Sequence, residues 1–182
     1  MSKIVTDKAK VSCKFLLSFF GLPGILGVLV FVFDQVSKFL LLRYFPEPGR
    51  IYHELISGFF SLVHFRNTGA AWGIMSEHTW LLGLISLLAL IGIIVFFRYL
   101  TESRLPLALA YGILSGGIAG NLYDRLARGF VVDFLFFYFR DYEYSWPAFN
   151  IADTAITCSV TFMVIYCLFF AGKKKAESSS ET

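Results

Sequence analysis

Charged residues are scarce in this chain. Of its 182 residues only 16% are charged and 57% are hydrophobic, whereas an average soluble domain has about 25% charged residues. The length suits one domain. This composition excludes an ordinary soluble domain, and the apolar residues are gathered into long uncharged runs.

Cysteine and histidine are also scarce, with three of each. No CxxC pair or disulfide framework is present, and the histidines lie at no spacing typical of a metal site. The HExxH signature of zinc proteases is absent as well. We therefore expect no metal and no cofactor. The six residues are Cys13, Cys158, Cys167, His53, His64 and His78.

Four uncharged runs of 19 residues predict four transmembrane helices, because a helix needs about 20 mostly apolar residues to cross a bilayer. The first run follows four lysines, so a cleavable signal peptide is an alternative. No small-residue cleavage site follows that run, which favours a retained anchor helix. The runs are 15–33, 79–97, 105–123 and 154–172.

The distribution of charge predicts the orientation. Four spans place both termini on one side of the membrane, and that side has nine basic and four acidic residues. The opposite side has seven basic and nine acidic residues. By the positive-inside rule the basic side is cytoplasmic, so the two long loops are extracytoplasmic.

The first long loop has features of β-structure. Residues 46–49, Pro-Glu-Pro-Gly, predict a turn, and 51–65 is rich in β-branched and aromatic residues, with a break at Ser57-Gly58. We expect an all-α integral membrane protein with four transmembrane helices, a small extracytoplasmic β-sheet and a periplasmic loop or helix. The predicted segments are 1–14, cytoplasmic; 15–37, first span; 38–76, extracytoplasmic sheet and loop; 77–97, second span; 98–104, cytoplasmic turn; 105–126, third span; 127–149, extracytoplasmic segment; 150–172, fourth span; and 173–182, cytoplasmic tail.

Small residues recur every fourth position in the third span, at Gly112, Gly116 and Gly120. This spacing lets the backbone of another helix approach closely. We interpret these glycines as packing residues.

Acidic side chains near a bilayer are energetically unfavourable and are therefore candidates for function. Two of the four aspartates near the outer helix ends have a base close by. Asp34 precedes Lys38 by four residues, and Asp124 directly precedes Arg125, so structural ion pairs are an alternative role for them.

Asp133 and Asp153 have no basic residue within four positions. Burial without an opposite charge raises the pKa of a carboxyl group. If two such carboxyls face each other, one stays protonated near neutral pH while the other is ionised, as in aspartic proteases. These two residues are the candidate catalytic pair.

The chain has three asparagines, Asn67, Asn121 and Asn150. Two of them precede an aspartate by three residues, in the pairs 121/124 and 150/153. On a helix this spacing places amide and carboxylate on one face. A neutral donor can orient a carboxylate without cancelling its charge.

The chain resembles the bacterial lipoprotein signal peptidases, also called signal peptidase II, from the first span to the fourth. Five motifs occur in the family order: Asp34-Gln-Val-Ser-Lys38, Arg66-Asn-Thr-Gly-Ala-Ala-Trp-Gly73, Gly116-Gly-Ile-Ala-Gly-Asn-Leu-Tyr-Asp-Arg125, Gly129-Phe-Val-Val-Asp-Phe134 and Pro147-Ala-Phe-Asn-Ile-Ala-Asp153. Matching motif by motif places the family's catalytic dyad on Asp133 and Asp153. The supporting or substrate-binding positions fall on Asp34, Lys38, Asn67, Gly69, Asn121, Asp124, Arg125, Asn150 and Ala152.

The resemblance implies an aspartic endopeptidase of the bacterial cytoplasmic membrane. It implies cleavage of diacylglyceryl-modified prolipoproteins just before the lipidated cysteine, by water that the dyad activates. Membrane lipids are expected partners, nucleic acid is not, and a monomer is expected. The resting protonation of each aspartate stays open.

A different class of function is a small transporter or proton-coupled channel, since acids near a membrane also relay protons. That function predicts charges along a path through the bilayer. Here the four aspartates cluster near one face and the centres of the spans carry no charge, which favours the peptidase.

Overall fold

The structure is a computed structural model that describes residues 19–70, 74–76, 78–139 and 143–170. Outside the described residues lie the predictions for the cytoplasmic amino-terminal segment, Cys13 and the carboxyl-terminal tail.

In the described part of the chain, four helices are long and apolar enough to cross a membrane, by length and composition. This agrees with the predicted number of spans. The helices are α1 Leu22–Tyr44, α2 Thr79–Thr101, α3 Leu105–Arg128 and α4 Ile151–Phe170.

The ends of these helices follow local sequence rules. A proline occupies the first turn of both α1 and α3, at Pro23 and Pro106, where its missing N–H removes no intrahelical hydrogen bond. Helix α3 ends at Arg128 and is followed by Gly129, whose φ of +78° lies in the left-handed region that favours glycine.

Helix α3 is the central helix of the bundle. Within the most hydropathic 18 residues of each helix, 56% of α3 is buried, against 17–22% for the other three. A side-chain carbon at Gly112 would collide with the backbone of Pro23, and one at Gly116 with the backbone of Gly27. The predicted packing role of these two glycines is therefore confirmed, because they let α1 lie directly against α3.

The connections on one end of the bundle form a four-stranded antiparallel sheet in the order β1-β2-β3-β4. The predicted β-structure of the first loop is confirmed, and its two strands pair as a hairpin with a turn at Gly58 (φ +73°). The expectation of an all-α protein is wrong, because strands fill much of both long connections. The strands are β1 Ile51–Ile56, β2 Phe60–Asn67, β3 Val131–Phe139 and β4 Tyr144–Ser145.

Strand β3 lies in the segment 127–149, for which we expected a loop or helix. Its nine residues are apolar except for Asp133 and Tyr138, and a short apolar run cannot be assigned to strand or helix by periodicity alone. Pairing with the distant strand β2 decides its conformation.

The register between β2 and β3 shifts between Leu62 and Phe65 and brings Phe65 opposite Asp133. Such irregularities redirect side chains and occur often near active sites. Buried Leu41 of α1 packs with Val132 and Phe134 of β3. This contact attaches the sheet to the end of the bundle, where α1 and α3 end and α2 and α4 begin.

Candidate active site

Asp133 and Asp153 reach one cavity from different elements. Asp133 is the third residue of β3 and is 3% exposed, and Asp153 is the third residue of α4. The cavity has a volume of about 480 Å³ and is lined by both carboxylates together with apolar residues of β3 and α4. Other residues that line it are Asn67, Asn121, Arg125, Val131, Phe149 and Ile156.

Asn150 binds both aspartates. It precedes α4, and its Oδ1 accepts a hydrogen bond from the Asp153 N–H at 2.9 Å, while its own N–H donates to Asp153 Oδ2 at 3.2 Å. This reciprocal pair is a capping box that fixes the first turn of the helix. The Asn150 Nδ2 group donates to Asp133 Oδ1 at 2.8 Å. The Asn150 side chain therefore bridges the Asp133 carboxylate and the Asp153 backbone.

The other two asparagines each donate to one acid of the pair. Asn67 Nδ2 donates to Asp133 Oδ2 at 3.0 Å, and Asn121 Nδ2 donates to Asp153 Oδ1 at 2.7 Å. All four carboxylate oxygens thus accept a hydrogen bond from a neutral donor. Neutral donors orient the carboxylates without removing either charge.

Backbone pairing holds these donors in place. The Asn67 Oδ1 atom accepts from the Gly69 N–H at 2.9 Å, which directs the Nδ2 group toward Asp133. Phe149, the residue before Asn150, exchanges backbone hydrogen bonds with Leu135 at 2.9 and 3.0 Å. Strand β3 and the start of α4 are therefore tied together beside the acids.

Burial raises the pKa of Asp133 to about 7, and the charge of Asp153 adds to this rise. The hydrogen bonds from Asn67 and Asn150 act in the opposite direction. The predicted rise in the pKa of Asp133 is confirmed, and its first cause is the predicted one. This carboxyl can hold a proton near neutral pH.

Arg125 lies beside the pair and lines the same cavity. Its guanidinium donates to the backbone oxygens of Gly69 at 3.3 Å and Asn121 at 3.4 Å. Its Nε atom is buried and has no hydrogen-bond partner within the described residues.

The remaining predicted site residues lie below the cavity. The Asp34–Lys38 ion pair is present at 2.8 Å, as the spacing of four residues indicates. The alternative pairing of Asp124 with Arg125 is wrong, because the ion pairs of Asp124 are with Lys38 and Arg128. On α3 the side chain at 125 projects to the cavity, whereas 124 and 128 share another face.

Gln35 and Arg128 were not predicted as site residues. Gln35 Nε2 donates to Asp34 Oδ2 at 3.0 Å and to Asp124 Oδ1 at 3.2 Å, and Arg128 donates to Gln35 Oε1 at 3.0 Å. The spacing of four between 124 and 128 is a signal that could have identified Arg128. Gln35 has no comparable signal, since two of its partners, Asp124 and Arg128, lie on another helix.

The fold and the site define a polytopic helical membrane protein with an acid pair in a cavity at one end of the bundle. Residues 26–169 match the family model described as "Signal peptidase (SPase) II". The chain belongs to the signal peptidase II family, and it is a multi-pass bacterial membrane protein and a peptidase.

Individual relatives show the same relationship. The chain is 40% identical to the lipoprotein signal peptidase of Symbiobacterium thermophilum over 153 residues, which is 84% of this chain and 97% of that protein. It is 36% identical to that of Bacillus subtilis over 152 residues, which is 84% of this chain and 96% of that protein. These matches give no support to the transporter alternative.

Solved structures agree with this fold. A bacterial membrane enzyme solved in meso at 2.3 Å superposes with a TM-score of 0.76 at 33% identity and covers 86% of this chain and 93% of its own. A second, solved at 1.9 Å, gives a TM-score of 0.71 at 34% identity and covers 84% and 96%.

Proposed function

We propose that Asp133 and Asp153 are the catalytic pair with which this signal peptidase II family member removes signal peptides from prolipoproteins. The observation that carries the proposal is their joint placement. Both line one cavity, and both are bound by Asn150. General acid–base catalysis needs one ionised and one protonated group within reach of the same substrate bond.

We assign the shared proton to Asp133. Its pKa is raised to about 7 by burial and by the charge of Asp153. Asp153 lies in the first turn of α4, where the helix dipole favours a negative charge. Arg125 supplies one positive charge beside the two acids, so a single proton on the pair leaves this group of three neutral.

The reaction then follows from these roles. Ionised Asp153 accepts a proton from a water molecule, and the water oxygen attacks the scissile carbonyl carbon. Protonated Asp133 donates to the carbonyl oxygen as negative charge develops there. When the C–N bond breaks, a proton passes to the leaving amine, and the cleaved peptide has gained one water molecule.

The extent of the cavity along α4 is consistent with a lipid-modified substrate. Thr157 and Cys158 of α4 line it together with Asp153. At a rise of 1.5 Å per residue, the cavity therefore follows α4 for roughly 6–8 Å beyond the acid. A peptide whose cysteine carries diacylglycerol suits a cavity that has acids at its end and a helix wall within the bilayer.

The pair belongs on the extracytoplasmic side. Arg98 and Arg104 flank the turn between α2 and α3, at the opposite end of the bundle from the sheet. Basic residues concentrate in the short loops that lie on the cytoplasmic side of the membrane. The sheet and the acid pair are then at the outer face, with both termini inside.

A gel assay on a purified, lipid-modified prolipoprotein tests the proposal. Asp133→Asn and Asp153→Asn should each lower the cleavage rate at least about 10²-fold, because each removes one acid–base group. Glu47→Gln is the matched control, since Glu47 is an exposed acid on the sheet side that pairs only with Arg50 among the described salt bridges.

The control should cut at the wild-type rate. Full cleavage by either aspartate variant would remove that residue from the pair. In a second arm the unlipidated precursor replaces the modified one, and equal cleavage of the two precursors would contradict lipid recognition.

A further inference from the structure

A buried charge cluster lies directly below the acid pair and consists of Asp34, Lys38 and Asp124. All three residues are 0% exposed. The Lys38 Nζ atom lies 2.8 Å from Asp34 Oδ2 and 2.9 Å from Asp124 Oδ2. One ammonium group therefore joins a carboxylate of α1 to a carboxylate of α3.

Each carboxylate of the cluster also binds the backbone next to one acid of the pair. Asp34 Oδ1 accepts a hydrogen bond from the N–H of Ala152 at 2.9 Å, and Ala152 directly precedes Asp153. Asp124 Oδ2 accepts one from the N–H of Val132 at 3.1 Å, and Val132 directly precedes Asp133. Each acid of the pair is thus preceded by a residue whose backbone N–H binds one carboxylate of the cluster.

Lys38 has a third contact that reaches the pair through a side chain. Its Nζ donates to Asn121 Oδ1 at 3.2 Å. Because that oxygen faces the ammonium group, the Asn121 Nδ2 group faces Asp153, to which it donates at 2.7 Å. Asn150 Nδ2 donates to the same Asn121 oxygen at 3.3 Å, so Lys38 and Asn150 together determine which end of the amide meets the carboxylate.

Arg128 completes the charge balance of the cluster, and Gln35 adds hydrogen bonds to it. Gln35 Nε2 donates to both carboxylates and to the Gly120 backbone oxygen, and Arg128 donates to Asp124 and to Gln35 Oε1. With two acids and two bases, the group is neutral. It can therefore remain buried under the pair without adding net charge to it.

Such a cluster is not explained by stability alone. Buried ion pairs are often no more stabilising than apolar residues of similar volume, because both ions lose hydration. Hydrogen bonds to charged groups are, however, short and strong. They hold backbone segments more tightly than neutral contacts do.

We propose that the buried charge cluster, with Gln35 and Arg128, is a positioning device that holds the backbone of β3 and the start of α4 at the separation the two acids need. None of its members lines the cavity that holds the acid pair, so they are positioning residues. This inference rests on the proposed role of Asp133 and Asp153 as the catalytic pair.

Two substitutions disturb the cluster without changing any charge. A side-chain carbon at Gly120 would lie 2.5 Å from Asp34 Oδ2, so Gly120→Ala must displace that carboxylate from its partners. Gln35→Met keeps the length of the side chain and removes its hydrogen bonds. The control is Gly92→Ala, because nothing lies within 4 Å of the carbon that it adds.

The readouts are kcat, KM and the pH profile of kcat/KM for each purified variant on the lipid-modified precursor. We expect kcat to fall about 10-fold to 10²-fold with KM within twofold, since small misplacements of catalytic groups act on the chemical step. The basic limb of the profile should move to lower pH, because the charge of Asp153 raises the pKa of Asp133 less when the acids move apart.

Gly92→Ala should match the wild type in all three measurements. Wild-type kcat and an unmoved basic limb in folded Gln35→Met and Gly120→Ala would overturn the proposal, as would a loss confined to KM. Should Gly120→Ala fail to fold, Gln35→Met alone decides. Asp133→Asn and Asp153→Asn are assayed in parallel. If they are inactive while the cluster variants behave as wild type, the cluster role fails and the catalytic pair stands.

Discussion

At the scale of single residues, Asn150 has two separable tasks. Its Oδ1 caps α4 by accepting from the Asp153 N–H, and its Nδ2 donates to Asp133 Oδ1. A serine at this position can cap the helix but cannot reach Asp133 with an amide donor. The two tasks therefore respond differently to two substitutions.

We predict that Asn150→Ser moves the basic limb of the kcat/KM profile to higher pH. In the proposed mechanism, activity requires the proton on Asp133 and falls as that group ionises, so the wild-type midpoint is expected near its pKa of about 7. The hydrogen bond from Asn150 lowers this pKa, so its loss raises it. Rates on lipid-modified precursor from pH 5 to 9 measure the shift.

The companion variant Asn150→Ala should show the same pH shift and also lose the cap. Loss of a cap destabilises by about 1 kcal/mol, which lowers the thermal midpoint of a protein of this size by about 2–4 °C. Asn150→Ser should keep the wild-type midpoint. If the basic limb stays in place in both variants, the hydrogen bond from Asn150 does not affect the pKa of Asp133. That result would contradict the assignment of the basic limb to Asp133.

Local sequence was informative for some residues of the site and not for others. The lack of a nearby base predicted the raised pKa of Asp133. The spacing of Asn150 and Asp153 predicted that the two residues interact, but Asn150 precedes α4 and caps it instead of sharing a helix face with Asp153. Spacing alone suggested that Arg125 neutralises Asp124. The structure instead directs Arg125 to the cavity, because side chains one residue apart on a helix point about 100° apart.

At the scale of the elements, β2 is attached to the end of α1 through a buried histidine. His64 is 0% exposed, and its Nδ1–H donates to the Phe45 backbone oxygen at 2.8 Å. Its Nε2 has no hydrogen-bond partner within the described residues. Burial lowers the pKa of His64, and the hydrogen bond to Phe45 opposes this effect.

We predict that His64→Gln reduces the loss of stability in acid. The folded pKa lies below the unfolded value of 6.5, so the unfolded state binds the proton first. The stability from the neutral imidazole is present above pH 6.5 and is lost as the pH falls through the folded pKa. Thermal midpoints in detergent between pH 7.5 and 4.5 measure the difference between variant and wild type.

The matched control is His53→Gln, because His53 is exposed on the neighbouring strand. Its midpoint should follow the wild-type curve at every pH. Parallel curves for His64→Gln and the wild type over this range would show that His64 does not couple protonation to folding.

Elements that depend on local signals could be predicted, and elements that depend on distant pairing could not. The turn at Gly58 and the runs of β-branched and aromatic residues predicted β1 and β2. Strand β3 carries Asp133, yet its apolar run gives no clear period, and its hydrogen bonds are made with β2 some 70 positions earlier in the chain. Contact between distant segments decides its fold.

At the scale of the whole molecule, the connections that carry the sheet lie at one end of the helical bundle. All four connections between the helices and the sheet leave from the same end of the bundle, and α3 packs against the other three helices. The site needs α1, α3, α4 and β3 together, since each supplies a residue to the acid pair or to the buried charge cluster. Sequence motifs identified these residues, whereas their hydrogen-bond partners required the assembled bundle.

The orientation of the bundle determines which compartment the acid pair faces, and two single cysteines test it in a variant with Cys13, Cys158 and Cys167 changed to alanine. We expect Ser57→Cys, in the β1–β2 turn, to react with a membrane-impermeant maleimide on intact spheroplasts. Ser103→Cys, in the turn between α2 and α3, should react only after lysis, because Arg98 and Arg104 favour a cytoplasmic location for that turn. Retained cleavage activity shows that the cysteine-free background is folded. Labelling of position 103 before lysis, with position 57 protected, would place the acid pair on the cytoplasmic face.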